Sequence, residues 1–305
     1  MIFIKTDKGH EKFPDWTDVA KRKGFVNKLS NTEHKLSHIF GYYELKNEIH
    51  CALTSCNQPH GKGYLVTTET GLETNIGHRC GKNIFGVDFE NHANDFDKYR
   101  ANEERKLSIK IAKGKIEAWE TSMQSLRSAK VSILWVITAI EDLQNSNYVG
   151  RAAAAEFRSL SRTQDSTVTI DVKVKDKKYE ALLFKFNKHF RDSGQALEQE
   201  VVGKVRFLHV LLTENHLKIL FATAMENIKK VRECDENSVP SPILADISQK
   251  ANGLQAQVDK VHAIYNDARS FLTRKNLSPV LNKINQMETV SQNDREIFAF
   301  FLRNF

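Results

Sequence analysis

Along the C-terminal third of the chain, Ile247, Ala251, Leu254, Val258, Val261, Tyr265, Ala268 and Leu272 recur at steps of four and three, between mostly polar residues. This heptad seam predicts one long helix with an apolar stripe. Two alanines and a tyrosine in the seam suit packing within a bundle better than a long parallel zipper. Ser241 before Pro242 predicts where the helix starts, as an N-cap followed by proline at the first helical position. The same pair at Ser278 and Pro279 predicts another start. Leu217, Phe221, Ala224, Ile228 and Val231 form a second stripe of the same spacing, and Ala112, Ile116, Trp119, Met123 and Leu126 a third. The third lies on a helix expected from about 93 to 144, with a break near Ser128. "RAAAAEFRSL", after the turn "NSNYVG", predicts a further helix.

Period two appears in fewer places. Val168, Ile170, Val172 and Val174 fall on one face, with Thr167, Thr169, Asp171, Lys173 and Lys175 on the other. Strict alternation of β-branched residues predicts a half-buried strand. "KDKK" then reads as a turn and 179–186 as the partner strand, a β-hairpin inserted near 166–186. In the N-terminal region, residues 2–5 read as a strand. "PDWTDVAKRKGFVNKLS" reads as a short helix capped by Asp15 or Thr17, and "GYYELKNEIHCAL" as another strand. Two extended runs around "ETGLE" predict a hairpin. The expected fold is mainly α, with a small N-terminal α+β module. The expected divisions are 1–95, a long helical segment 96–165, the hairpin insertion 166–190, and a helical domain 191–305.

The chemistry concentrates at "HCALTSCNQPHGKGYLVTTETGLETNIGHRCGKN", which holds three of the four cysteines. Cys51 and Cys56 have four residues between them, and the predicted hairpin delivers His78 and Cys80. If the strand persists through 80, residues i and i+2 share a face and can bind one ion. Gly81 would let the backbone curl towards the thiolate. Four N/S ligands match tetrahedral, structural Zn²⁺ with no open position. His60 is an alternative that could replace Cys51 or His78. The rival reading is three small buried hydrophobes that are neighbours by chance.

Charge and motif content narrow the function. The net charge is +7, but it is spread along the chain as +1, +3 and +3 over its successive thirds. Between 51 and 80, Lys62 and Arg79 balance Glu69 and Glu73. A phosphate-binding module would carry a local cation surplus. "KRK" at 21–23 and "KVKDKK" at 173–178 read as solvated faces. No apolar run approaches a membrane span, and no secretory leader pattern opens the chain. The expectation is a cytoplasmic protein with reduced cysteines and no membrane partner. No phosphate loop, H-E-x-x-H, deaminase signature or G-x-S-x-G elbow occurs, so no catalytic residue is assigned and a non-enzyme is expected.

Residues 45–100 resemble a treble-clef or zinc-ribbon module, with C-x4-C and H-x-C in place of the usual ligand pairs. In size and architecture the chain resembles zinc-containing proteins carried by phages and mobile elements, including inhibitors that clamp bacterial defence nucleases such as the Gabija complex. That resemblance implies a protein partner in a bacterial host cytoplasm. Nucleic-acid binding through the zinc module is the alternative. The dense tip "REIFAFFLRNF" offers Phe298, Phe300, Phe301 and Phe305 as a docking site for a partner or another copy, and a homo-oligomer is expected.

Overall fold

The computed structural model describes residues 1–7 and 9–305 and is mainly helical. The chain begins with β1 (Ile2–Thr6), β2 (Gly9–Phe13), α1 (Trp16–Ala20), β3 (Leu36–His50), β4 (Pro59–Thr68), β5 (Glu73–Gly77) and α2 (His78–Lys113). It continues with α3 (Ile116–Ser128), α4 (Ile133–Leu143), α5 (Ser146–Val149), α6 (Arg151–Thr163), β6 (Thr167–Lys173), α7 (Lys177–Phe186), α8 (Lys188–Ser193) and β7 (Leu197–Lys204). The last helices are α9 (Leu217–Glu233), α10 (Ser241–Phe271), α11 (Arg274–Gln286) and α12 (Gln292–Phe301). Two compact units result: Met1–Ile111 with Asp235–Ser248, and Ala112–Cys234 with Gln249–Phe305.

The first unit is built on a five-stranded antiparallel sheet of order β2-β1-β3-β4-β5. Both faces of its central strands are covered, so Tyr64, Leu65 and Val66 are all buried in succession. One face carries Phe3, Ile39, Tyr64, Val66 and Ile76 against Phe89, Ala93 and Phe96 of α2. The other carries Ile2, Ile4, Phe40, Tyr43 and Leu65 against Val19 and Trp16 of α1. Asp15 caps α1 by accepting from the Thr17 amide. The Arg22 guanidinium grips Glu73 of β5 through two hydrogen bonds of 2.8 and 3.0 Å. α2 bends at Gly86, whose φ of +61° and ψ of −138° interrupt the helix; a side chain would be strained there.

The second unit is helical with one two-stranded ribbon. All three predicted stripes are buried, mostly on α3, α9 and α10, with Ala112 at the end of α2, Leu272 just past α10 and Ile247 in the part of α10 that belongs to the first unit. The helix expected over 93–144 is divided at Gly114 and Lys115 as well as after Ser128. α10 takes in Ser241 itself, whereas α11 starts four residues before the expected Ser278. Thr273 caps it by accepting from the Asn276 amide, which leaves Pro279 inside the helix. Proline there removes one backbone bond, and the Ser278 hydroxyl instead donates to the Lys275 carbonyl at 3.0 Å.

The inserted hairpin is corrected. β6 forms as expected, but 177–186 is helix α7 and the partner strand is β7. Asp176, read as part of a turn, accepts from the amides of Lys178 and Tyr179 and so caps a helix. Tyr179, Leu182, Leu183 and Phe186 follow at helical spacing. The expectation of continuous helix after 191 also fails at β7. Its Val201 and Val202 extend opposite β6, a pairing across more than twenty residues that local pattern does not announce.

Candidate metal centre

The cysteine cluster is assembled by a tight loop, a hairpin and a helix start. Cys51 leaves the end of β3, and its amide donates to the Gln58 carbonyl. The amides of Cys56 and Asn57 both turn back to the Leu53 carbonyl, with Asn57 at a φ of +53°. Asparagine tolerates that left-handed conformation better than most residues. The loop folds Cys56 back beside Cys51. The β4–β5 hairpin then returns the chain so that Cys80 enters from the first turn of α2.

The thiol sulfurs of Cys51, Cys56 and Cys80 all lie within 4.8 Å of one another. Cys56 and Cys80 are 2.8 Å apart. Cys51 is buried in the core that also holds Leu53 and Phe89, while Cys56 and Cys80 reach its edge. A tetrahedral ion with bonds of about 2.3 Å to sulfur spaces its ligands by nearly 4 Å, so the trio has the compass to hold one.

Their electrostatics are those of crowded, partly buried thiols. Burial pushes the Cys51 thiol up, against the amides of Gly77 and Leu53, which favour its thiolate. Burial, together with hydrogen bonding to Cys56, pushes Cys80 up to about 12. Cys56 pays a burial penalty too, but hydrogen bonds from Cys80 and the Gln58 amide hold it below the usual thiol range. Three thiolates this close repel one another, and a divalent cation would remove the conflict by taking the place of their protons.

The two candidate histidines sit outside the trio. β5 ends at Gly77 and the helix begins at His78, so the strand does not carry through to Cys80. Two residues apart on a helix, side chains diverge by about 200°, and His78 is exposed, its ring against Tyr64 and Phe89. Gly81 has a different task from the expected curl: a Cβ there would fall 2.2 Å from the Phe89 ring. His60 is half-buried and held from both ends. Its Nδ1 faces the Gln58 carbonyl at 3.1 Å, which fixes the proton on that nitrogen, and its Nε2 accepts from the Tyr43 hydroxyl.

Tyr43 and Asn75 are participants that sequence reasoning missed. Asn75 donates to the His50 carbonyl at 2.8 Å and to the Tyr43 hydroxyl at 3.4 Å. Burial, with the nearby Cys51 and Cys80 as lesser contributors, pushes the Tyr43 phenol up, so it remains a proton donor. Its ring passes over Gly63, its partner in β4, where a Cβ would lie 2.4 Å from the hydroxyl. Gly63 in turn faces Gly77 of β5, and the His60 ring lies over Gly77. Glycine within a strand is the signal that another group approaches closely, and "GKG" carried it.

A cleft of about 880 Å³ opens beside the trio, lined by Cys56, His60, Gly77, His78, Cys80 and Asn83 among others. Among the described residues, no other group of three or more His, Cys, Asp or Glu could hold an ion. Cys234 is buried in the second unit and takes no part. At the C-terminus, Phe298 and Phe301 are buried in the second unit's own core, Phe298 against Phe157. Phe305 is half-buried against Trp135 and Phe301, and Phe300 is 67% exposed. Among the described residues, no helix is long and apolar enough to cross a membrane. Comparison with protein-family models, curated proteins and solved structures finds no match to the chain.

Proposed function

We propose that the first unit is a zinc-held module whose purpose is to present a binding surface to another protein. The observation that carries this reading is the convergence of three thiols from a tight loop and a helix start, joined by a hairpin, as in a treble clef. Thiolates select a soft or borderline ion, and a closed set of sulfur and nitrogen donors suits Zn²⁺. His60 is the favoured fourth donor. Its Nδ1–H is already oriented by a backbone carbonyl, and Nε2 would become the liganding atom, the usual arrangement around metal-bound histidine, with the Tyr43 hydroxyl turning its proton away from that lone pair. His78 is its rival. When bound, the ion would supply cross-linking between distant segments rather than chemistry, so the chain acts as a non-enzyme.

Elemental analysis of protein purified without added metal is expected to give one zinc per chain. Replacement by Co²⁺ then reads the ligand set: His60→Ala shifts the visible bands and His78→Ala leaves them in place. The reverse pattern would assign the fourth position to His78, and well-folded protein free of metal would remove the zinc module altogether.

The partner is sought by affinity capture from a bacterial lysate with and without nuclease treatment, and defence nuclease complexes are the first class to test. Capture that survives nuclease and is lost in Cys56→Ser supports a protein partner. Capture abolished by nuclease replaces this reading with nucleic-acid binding.

A further inference from the structure

The connection between β6 and β7, residues 174–196, is a helical tip on the end of the ribbon. Val174 and Ala196 close its base through a backbone hydrogen bond, and both are buried. Beyond them no residue of α7 or α8 is buried, and α7 packs chiefly on α8. Yet α7 carries an exposed apolar stripe, with half-buried Phe184 the one large apolar side chain on its other face. Tyr179, Leu182, Leu183 and Phe186 fall at i, i+3, i+4 and i+7, one stripe of a helix. Tyr179 is 46% exposed, Leu182 52% and Phe186 76%. Lys177, Lys178 and Lys185 lie on the opposite side and its flanks. The tip carries six Lys and Arg against three Asp and Glu, and Asp176 is turned back on the helix amides as a cap.

We propose that this tip is a membrane-surface anchor that lays the Tyr179–Leu182–Phe186 face of α7 into the headgroup region of an anionic bilayer, with its lysines on the lipid phosphates and carboxylates. An apolar stripe flanked by lysines is the composition of an interfacial helix. Long lysine stems reach past apolar surface to keep their charge in the polar layer. A second copy fits poorly, because two tips of net positive charge would repel. A nucleic acid would use the lysines but leave Leu182 and Leu183 with nothing to cover them. The contact is peripheral and needs no spanning helix.

The test is flotation of the full chain with phosphatidylcholine vesicles, with and without phosphatidylserine. The protein is expected to float with the anionic vesicles and to stay behind with the neutral ones. The double variant Leu182→Ser/Phe186→Ser is expected to lose about ten-fold or more in partition, since each buried apolar side chain contributes to insertion. The variant Lys177→Gln/Lys178→Gln/Lys185→Gln is expected to lose a similar amount. None of these residues is buried, so far-ultraviolet circular dichroism should match the parent for both. Absence of flotation with anionic vesicles would overturn the proposal. So would flotation that the Leu182/Phe186 variant leaves intact, which would show simple charge adsorption. Failure to float, together with a protein captured only by the parent, would assign the face to a protein groove instead.

Discussion

The cysteine centre and the helical tip are opposite uses of short segments. At the centre, 30 residues of chain fold back so that Cys51, Cys56 and Cys80 converge, and the neighbouring Tyr43, Asn75 and His60 are tied by hydrogen bonds across three strands. At the tip, 23 residues project from a ribbon and bury nothing beyond its base. The first region gathers its side chains around a shared centre, and the second leaves its apolar side chains exposed. A substitution should therefore be felt as structure in one and as binding in the other.

The largest expected effect is at the centre. Cys56→Ser should abolish bound zinc and expose 45–95 to proteolysis, because metal affinity there is folding free energy. Cys234→Ser should leave the zinc content unchanged. If both proteins hold equal zinc, the thiol trio is not the site.

Next comes Phe298→Ala, in the second unit. Its ring is fully buried against Phe157 and Phe301, so chemical denaturation should show a loss of about 3–5 kcal/mol. Phe300→Ala, exposed on the same helix, should stay within about 0.5 kcal/mol. Equal losses would mean that Phe300 too is covered. Truncation of 295–305 should accordingly unfold the second unit rather than merely remove a docking surface.

A smaller effect is expected from Tyr43→Phe, which removes an acceptor from the buried Asn75 amide while keeping the ring over Gly63. Leaving buried polar groups unpaired costs about 1–3 kcal/mol, measurable by denaturation of the zinc-loaded protein. A null result would show that the Asn75 amide is satisfied by the His50 carbonyl alone.

The smallest effects belong to the tip. Asp176→Ala removes the cap of α7 and should cost about 1 kcal/mol of local helix stability. Amide exchange over 177–186 should rise while exchange in α9 and α10 stays constant. Leu182→Ser should leave global stability within about 0.5 kcal/mol, in contrast to any seam residue of α10.

Local pattern was decisive where a helix makes its own hydrogen bonds. The stripes of α3, α9 and α10 are legible because a period near 3.6 and a buried face are properties of consecutive residues. β6 was legible by alternation, but its partner was not: a strand needs another strand, and the sequence does not say how far away that strand lies. Between Lys173 and Leu197 the chain inserts two helices, and the local signs of the first, the cap at Asp176 and the spacing of Tyr179, Leu182, Leu183 and Phe186, were read instead as a turn and a strand.

The same division runs through the candidate site. That three cysteines belong together could be read from their density in a short stretch and from the hairpin between them. Which groups accompany them could not. His78 stands apart because the strand gives way to a helix at His78 itself, three residues too soon for His78 and Cys80 to share a strand face. Tyr43 enters because β3, β4 and β5 align it with Gly63 and Gly77, where missing side chains leave room for its ring and for His60. Periodicity is a property of neighbours along the chain, and so the sequence by itself determined the long striped helices and the ingredients of the centre. Convergence depends on register between strands far apart in the chain, and only the tertiary structure could decide it.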